Sequence, residues 1–267
     1  MASRRVVQRV AKSTVCMYRR LRRKPVLLLA LIAAVLLGGC NATFGTPVAI
    51  DAPARITGSG NVVTKTLDFR DFRAVEAHNA FTVDISRAEA YAVQVTADDN
   101  LFDYLDVYQI GETLVIGLKK GSYSRGTWRA TVAMPDLARL DVSGASRATV
   151  AGFASTDGVD FEVSGASKLV GRLQARRVAL DVSGASTAEL GGAAERLELE
   201  VGGASHAGLG DLAVDEARVR VSGASSATVN AGGSLDADLS GASTLYYVGS
   251  PSLGNITTSG ASSLKRR

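Results

Sequence analysis

Residues 140–150 read LDVSGASRATV, and the tetrapeptide at their centre returns six more times. The other copies are FEVSGASKLV (161–170), LDVSGASTAEL (180–190), LEVGGASHAGL (199–209), VRVSGASSATV (219–229), ADLSGASTLYY (237–247) and ITTSGASSLKR (256–266). The motif glycines are Gly144, Gly165, Gly184, Gly203, Gly223, Gly241 and Gly260, spaced 21, 19, 19, 20, 18 and 19 residues apart. Glycine and the Ala-Ser after it recur in every copy, and the preceding serine in all but one, where Gly202 replaces it. Two residues before each glycine stand Val142, Val163, Val182, Val201, Val221, Leu239 and Thr258; four before stand Leu140, Phe161, Leu180, Leu199, Val219, Ala237 and Ile256. Positions two apart on a strand point to one face, so both columns are expected to face one interior.

A unit of about 19 residues cannot bury its own apolar face, but stacked units bury each other's. The reading is a parallel β-helix: strands about 4.8 Å apart would stack seven coils into a column about 34 Å tall. Leucine-rich repeats have a similar period but need an Asn ladder and several leucines per unit, and hexapeptide helices need a shorter period. On this reading SGAS is the corner of each coil. Glycine permits φ > 0 or a close backbone approach. Alanine is expected where no larger inward side chain fits, and the serine hydroxyls satisfy backbone groups or each other between coils.

Upstream, FTVDIS (81–86), YAVQVTA (91–97), YLDVYQI (104–110), TLVIGL (113–118) and TWRATVAM (127–134) alternate as half-buried strands do. DDNLFD (98–103) is expected to form one helical turn, capped by Asp98 or Asp99. The class is all-β, with a variable strand-rich part over 61–140 and the seven repeats over 141–267.

Residues 1–24 carry nine basic residues and no acid, followed by an apolar run from Val26 to Leu37 and then Gly38-Gly39-Cys40. Twelve apolar residues suit a signal-peptide core, not a membrane span of roughly 20. Met17, followed by YRRLRRK, is an alternative start. LGGC resembles the bacterial lipobox, which implies that residues 1–39 are a lipoprotein signal peptide and that Cys40 is the lipid attachment point, carrying diacylglycerol and a fatty acyl chain such as palmitate. Asn41 after it, with no Asp there, resembles an outer-membrane sorting signal. Residues 40–60, rich in Pro, Gly, Thr and Ala, read as a tether. The whole chain has 30 basic and 26 acidic residues, but without the signal's nine basic residues the balance becomes 21 against 26, net −5. A nucleic-acid partner loses its support. With Cys16 in the signal and Cys40 acylated, no thiol pair is left for a disulfide or zinc.

FRAVEAHNAFTVDIS (72–86), YAVQVTADDNLFDYLDVYQIGETLVIGLK (91–119) and the SGAS repeats, in that order, resemble the putative auto-transporter adhesin, head GIN domain family over residues 67–260. The resemblance implies an exported bacterial protein with a right-handed β-helix and an adhesin-like role. The chain departs from an autotransporter in having no long run of alternating strands after the repeats; it ends SSLKRR.

Three constellations invite chemistry. Ser205-His206 with Asp211 has hydrolase residue types but no G-x-S-x-G elbow, and His206 occupies a slot filled elsewhere by Arg147, Lys168, Thr187, Ser226, Thr244 and Ser263. Catalysis is not expected there, nor at His78, which has no partner visible in sequence. Asp141, Glu162, Asp181, Glu200, Arg220, Asp238 and Thr257, three residues before each glycine, would form a column. It reads as a solvated face rather than a calcium ladder, because Arg220 interrupts it and no Gly-Gly-x-Gly-x-Asp repeat is present. The small-residue SGAS stripe beside Arg147 and Lys168 is either a flat binding face or a plain structural ladder.

The expectation is thus a non-enzymatic, lipid-anchored envelope protein. It would contact the membrane through its anchor and a glycan, matrix or envelope-protein partner through its surface, with no cofactor, no metal and no nucleic acid. Two rivals stand beside it: a polysaccharide-active enzyme, by fold analogy, and an envelope accessory that takes a partner strand at the last coil, Ile256 to Leu264. Lys265-Arg266-Arg267 reads as a solubilising end.

Overall fold

The computed structural model describes residues 55–267, which form one compact unit. The signal segment 1–39, Cys40, Asn41 and the tether up to residue 54 lie outside the described residues. The described part is a β-solenoid of about 6 turns, with coils about 20 residues apart. The six intervals between the seven motifs are the regular turns, where the repeats suggest seven coils; the irregular coils below them have no SGAS corner.

Long strands such as Arg147–Val163, Lys168–Val182, Thr187–Val201 and His206–Val221 each run from one corner to the next. Register shifts, for example between Ala151 and Phe153 and between Ser155 and Gly158, interrupt the ladder along the way. Neighbouring coils pair in parallel: Leu140 lies beside Phe161, Phe161 beside Leu180 and Leu180 beside Leu199. Both apolar columns face the interior and are buried through Ala237 and Leu239. The last coil differs: Ile256 is half-buried and Thr258 exposed, since no further coil covers them.

The corners follow from the backbone. All seven motif glycines have φ between +65° and +77°. A Cβ on Gly184 would stand 2.5 Å from the Gly165 carbonyl oxygen, and one on Gly223 2.5 Å from that of Gly203. The approach is close because the corner itself is laddered: Ala185 N–H donates to Gly165 O, Ala204 to Gly184 and Ala224 to Gly203, each at 2.8 Å.

The alanine is placed otherwise than the sequence reading expects. Every corner alanine, from Ala145 to Ala261, is exposed, and the inward residue is the serine after it. Ser146, Ser167, Ser186, Ser205, Ser225 and Ser243 are all buried. The chain turns at Gly-Ala, so the alternation restarts with serine inside. A buried hydroxyl needs a partner, and here it accepts a backbone N–H: Ser146 to Ser167 Oγ (3.2 Å), Ser167 to Ser186 Oγ (3.2 Å), Ser186 to Ser205 Oγ (3.3 Å) and Ser205 to Ser225 Oγ (3.3 Å).

The first coils are irregular. Ala74–Ala77 pairs with Arg139–Val142, and Thr82–Arg87 with the start of Arg147–Val163, so His78-Asn79-Ala80-Phe81 is an eighth corner beneath the seven. Asn79, at φ +60°, takes the glycine position, as asparagine tolerates. Phe81 takes the place of the inward serine. The ladder of N–H groups onto serine hydroxyls stops there: Ser146 Oγ, which would take an N–H from the coil below, has no hydrogen-bond partner among the described residues. Below it, Thr113–Leu118 and Trp128–Met134 form a further coil whose corner is widened to the loop 119–127. Three antiparallel strands, Val62–Leu67, Ala92–Asp98 and Leu105–Ile110, finish this end.

The expected helical turn is a 3-10 helix, Asp99–Tyr104, but neither aspartate caps it as expected: the Asp98 side chain makes no cap bond. Asp98 is buried and accepts the N–H groups of Gly60 (2.6 Å) and Thr127 (2.8 Å). This hub ties the arriving chain to the loop. Ile56–Thr57 pairs with Tyr123–Ser124, so the expected tether, 40–60, overlaps the folded unit at its last residues.

Candidate functional site: the charged wall

The strand segments before each corner form one wall, on which outward residues alternate with the buried columns. Three residues before the glycines, Glu76, Asp141, Glu162, Asp181, Glu200, Arg220 and Asp238 lie in direct register. Five before, the column reads Arg139, Asp160, Ala179, Glu198, Arg218 and Asp236. Ala179 leaves a gap in this second column, and a trough of about 620 Å³ runs past it from Arg139 to Asn255.

Cross-coil ion pairs hold the edges of the trough. Arg177 reaches across the Ala179 gap to Asp160 (2.9 Å) and Glu198 (2.8 Å); Arg139 pairs with Glu162 (2.8 Å) and Arg196 with Glu216 (3.0 Å). These exposed pairs contribute little stability each; their consequence is order, fixing which carboxylates stay open. The Arg177 hydrogen bond holds the Glu198 carboxyl below its usual range. Asp181 is pushed up, first by burial and then by Glu200 and Glu162, and Asp141 likewise by burial and then by Glu162 and Glu76. The wall therefore combines carboxylates of unequal acidity with guanidinium groups at repeating intervals. It can hydrogen-bond an extended, repetitive polar chain. Among the described residues, no group of three His, Cys, Asp or Glu is placed to hold a metal ion.

The residues singled out in sequence fall into three places. The seven glycines and the buried serines are corner scaffold. Ser205 and His206 are neighbours on one strand and face opposite ways: Ser205 is buried in the serine ladder, while His206 is exposed, its Nδ1 2.8 Å from Ser226 Oγ. Asp211 lies beside Gly191, away from both. No triad forms. His78 belongs to the irregular eighth corner, its ring filling the space above Gly117 where a Cβ would stand. Arg147 and Lys168 are adjacent in the column after the corner, and Lys168 pairs with Glu189 (2.9 Å). The last coil presents Leu253 at 49% exposure, whereas its partner one coil back, Leu235, is fully buried. Arg267 lies over the Tyr246 ring (4.1 Å) and Arg266 donates to Ser250 Oγ (2.8 Å).

Arg177, Asp98 and the Asn79 corner escape sequence reading. For Asn79 a signal exists, since V-x-A-x-x-A in VEAHNA keeps the spacing of V-x-x-A across the other corners. For Arg177 there is none: its role depends on register with Asp160 and Glu198, one coil to either side.

Comparison with known proteins agrees with the geometry. The family described as putative auto-transporter adhesin, head GIN domain matches residues 71–251. A putative adhesin from Bacteroides fragilis superposes with a TM-score of 0.75 at 20% identity, over 79% of this chain and 100% of that one. A putative lipid binding protein from Parabacteroides distasonis gives 0.65 at 20% identity, over 80% and 100%. A putative adhesin from Parabacteroides merdae gives 0.64 at 18% identity, over 81% and 100%. At these identities the likeness is one of fold. No curated protein matches the chain.

Proposed function

The chain belongs to the putative auto-transporter adhesin, head GIN domain family, and on that premise we propose that it is a lipid-anchored cell-envelope protein that binds by surface contact rather than by catalysis. The observation that carries this reading is the wall: six coils present an ordered row of charged groups along one trough, and among the described residues Ser205 and His206 are not brought together as nucleophile and base. Repetitive solenoid faces suit repetitive partners, so the partner class is a glycan, a matrix polymer or an extended protein segment. Cys40 carries the lipid and holds the domain at the outer membrane. The descriptions of structural neighbours as adhesins support binding; the one described as lipid binding is compatible with a role at a membrane.

Protease shaving of intact cells, with a periplasmic control protein and a Cys40→Ala variant alongside, tests the reading. Degradation of the wild-type domain in unbroken cells supports surface binding. Complete protection, with Cys40→Ala released into the soluble periplasm, retires the adhesin role while keeping the anchor. The uncovered last coil favours one second reading. Leu253 and the strand Ser263–Arg266 can accept a partner strand, which would make the protein a periplasmic accessory.

A further inference from the structure

The irregular end of the solenoid has a surface unlike the rest. Loop 119–127 stands where the other coils have a four-residue corner, and it gathers aromatic rings. Tyr123 lies 6.2 Å from Tyr104 and 6.0 Å from Trp128, edge to face. Tyr104 is 37% exposed, and Phe102, nearby on the 3-10 helix, sits under Lys65 with Nζ 4.0 Å from its ring centre.

Lys65, Lys119, Lys120 and Arg125 are all exposed here, and none makes an ion pair among the described residues. The neighbouring acids are mostly occupied: Asp98 is buried against two backbone N–H groups, and Asp99 accepts from Ser59 Oγ and Asn61 Nδ2. Asp103 is exposed, its backbone carbonyl accepting Lys119 Nζ (2.9 Å), so four cations face three carboxylates at this end.

The geometry points to this end as a docking surface for an anionic lipid bilayer. Exposed Tyr104 with half-buried Tyr123 and Trp128, beside Lys and Arg, is the residue mixture of a membrane–water interface. The arriving chain is pinned at the same place, by Ile56 N–H to Ser122 O (2.8 Å) and Gly58 N–H to Arg125 O (2.7 Å). Fourteen residues lie between Cys40 and Arg55, a reach of at most about 50 Å. The inference therefore rests on the proposed acylation of Cys40, which brings this end close to the lipid. From Cys40 onward the chain has a net charge of −5. An anionic bilayer would repel the acidic walls and attract the cationic end, leaving the charged trough turned away from the membrane and open to a partner.

Trp128 is the only tryptophan in the chain and reports on the patch directly. The chain from Asn41 to Arg267, which lacks both signal and lipid, is mixed with phosphatidylglycerol vesicles, phosphatidylcholine vesicles and inorganic phosphate. Expected results are co-sedimentation with phosphatidylglycerol vesicles and a blue-shifted Trp128 emission, both weakened by salt. Binding should fall roughly tenfold or more in Lys119→Glu/Lys120→Glu/Arg125→Glu. Lys119→Gln/Lys120→Gln should lose less, and the wall variant Arg196→Ala should bind as wild type. Absence of binding to phosphatidylglycerol vesicles, equal binding by the triple variant, or a response to inorganic phosphate alone would each overturn the inference. Because this chain carries no acyl group, failure here leaves the Cys40 anchor untouched, and failure of the anchor in cells leaves this result untouched.

Discussion

The seven-corner half and the irregular end of this protein solve one problem, closing a coil, by different means. From Gly144 to Gly260 each corner turns on a left-handed glycine; from Ala185 to Ala261 the alanine N–H bonds to the glycine below, and from Ser167 to Ser225 a serine hydroxyl catches one stray N–H. At the irregular end the same job falls to individual side chains: Asn79 in the left-handed position, Phe81 in place of serine, and Asp98 gathering the N–H groups of Gly60 and Thr127. A corner made by backbone must repeat its residues, whereas a corner locked by a side chain can use any sequence that supplies the lock. The first kind is conspicuous in sequence and carries no site; the second is inconspicuous and leaves an end with its own surface.

Replacing a glycine in the repeated half should have the largest effect. Gly184→Val forces a branched residue to φ +76° with its Cβ 2.5 Å from Gly165 O, and denaturant melts should show a loss of about 3 kcal/mol or more. Asp98→Ala should cost about 2–3 kcal/mol, but differently: hydrogen exchange should speed up at residues 56–61 and 124–128 while the repeated coils keep their protection. If both variants melted the whole molecule alike, the two halves would not differ as described.

Ser205→Ala comes next, at about 1–2 kcal/mol, because the buried Ser186 N–H loses its acceptor. His206→Ala, one residue on and exposed, should stay within about 0.5 kcal/mol. The smallest effect is a gain. Asp181 has a raised pKa, so the folded state binds its proton more readily than the unfolded state, and wild-type stability falls as pH rises through that raised value. Asp181→Asn should therefore be more stable at pH 7 by a few tenths of a kcal/mol, and the advantage should fade as the pH drops below the ordinary carboxylate range. Glu198, held low by Arg177, works the other way and loses its contribution on acidification.

The all-β class and the solenoid were legible because glycine spacing and the two apolar columns are direct consequences of stacking. The positions of alanine and serine were not. A corner of four residues can restart the inside–outside alternation at either one, and only the turn at Gly-Ala decides it. Asp98 looked like a helix cap because its partners, Gly60 and Thr127, are distant in sequence. The trough was half legible: the column of Asp141, Glu162, Asp181 and Glu200 could be aligned by counting, but the gap at Ala179 and its bridging by Arg177 need the register between coils.

The central claim is that the SGAS corners are a continuous backbone ladder, as rigid as the walls, and not a row of loops poised to bind. Native-state hydrogen exchange at Ala185, Ala204 and Ala224 tests it most directly. Their amides should exchange only with the same opening free energy as wall amides such as Leu199 and Val201. Exchange at these three alanines orders of magnitude faster than at the walls would contradict it and return the repeated tetrapeptide to the list of candidate sites.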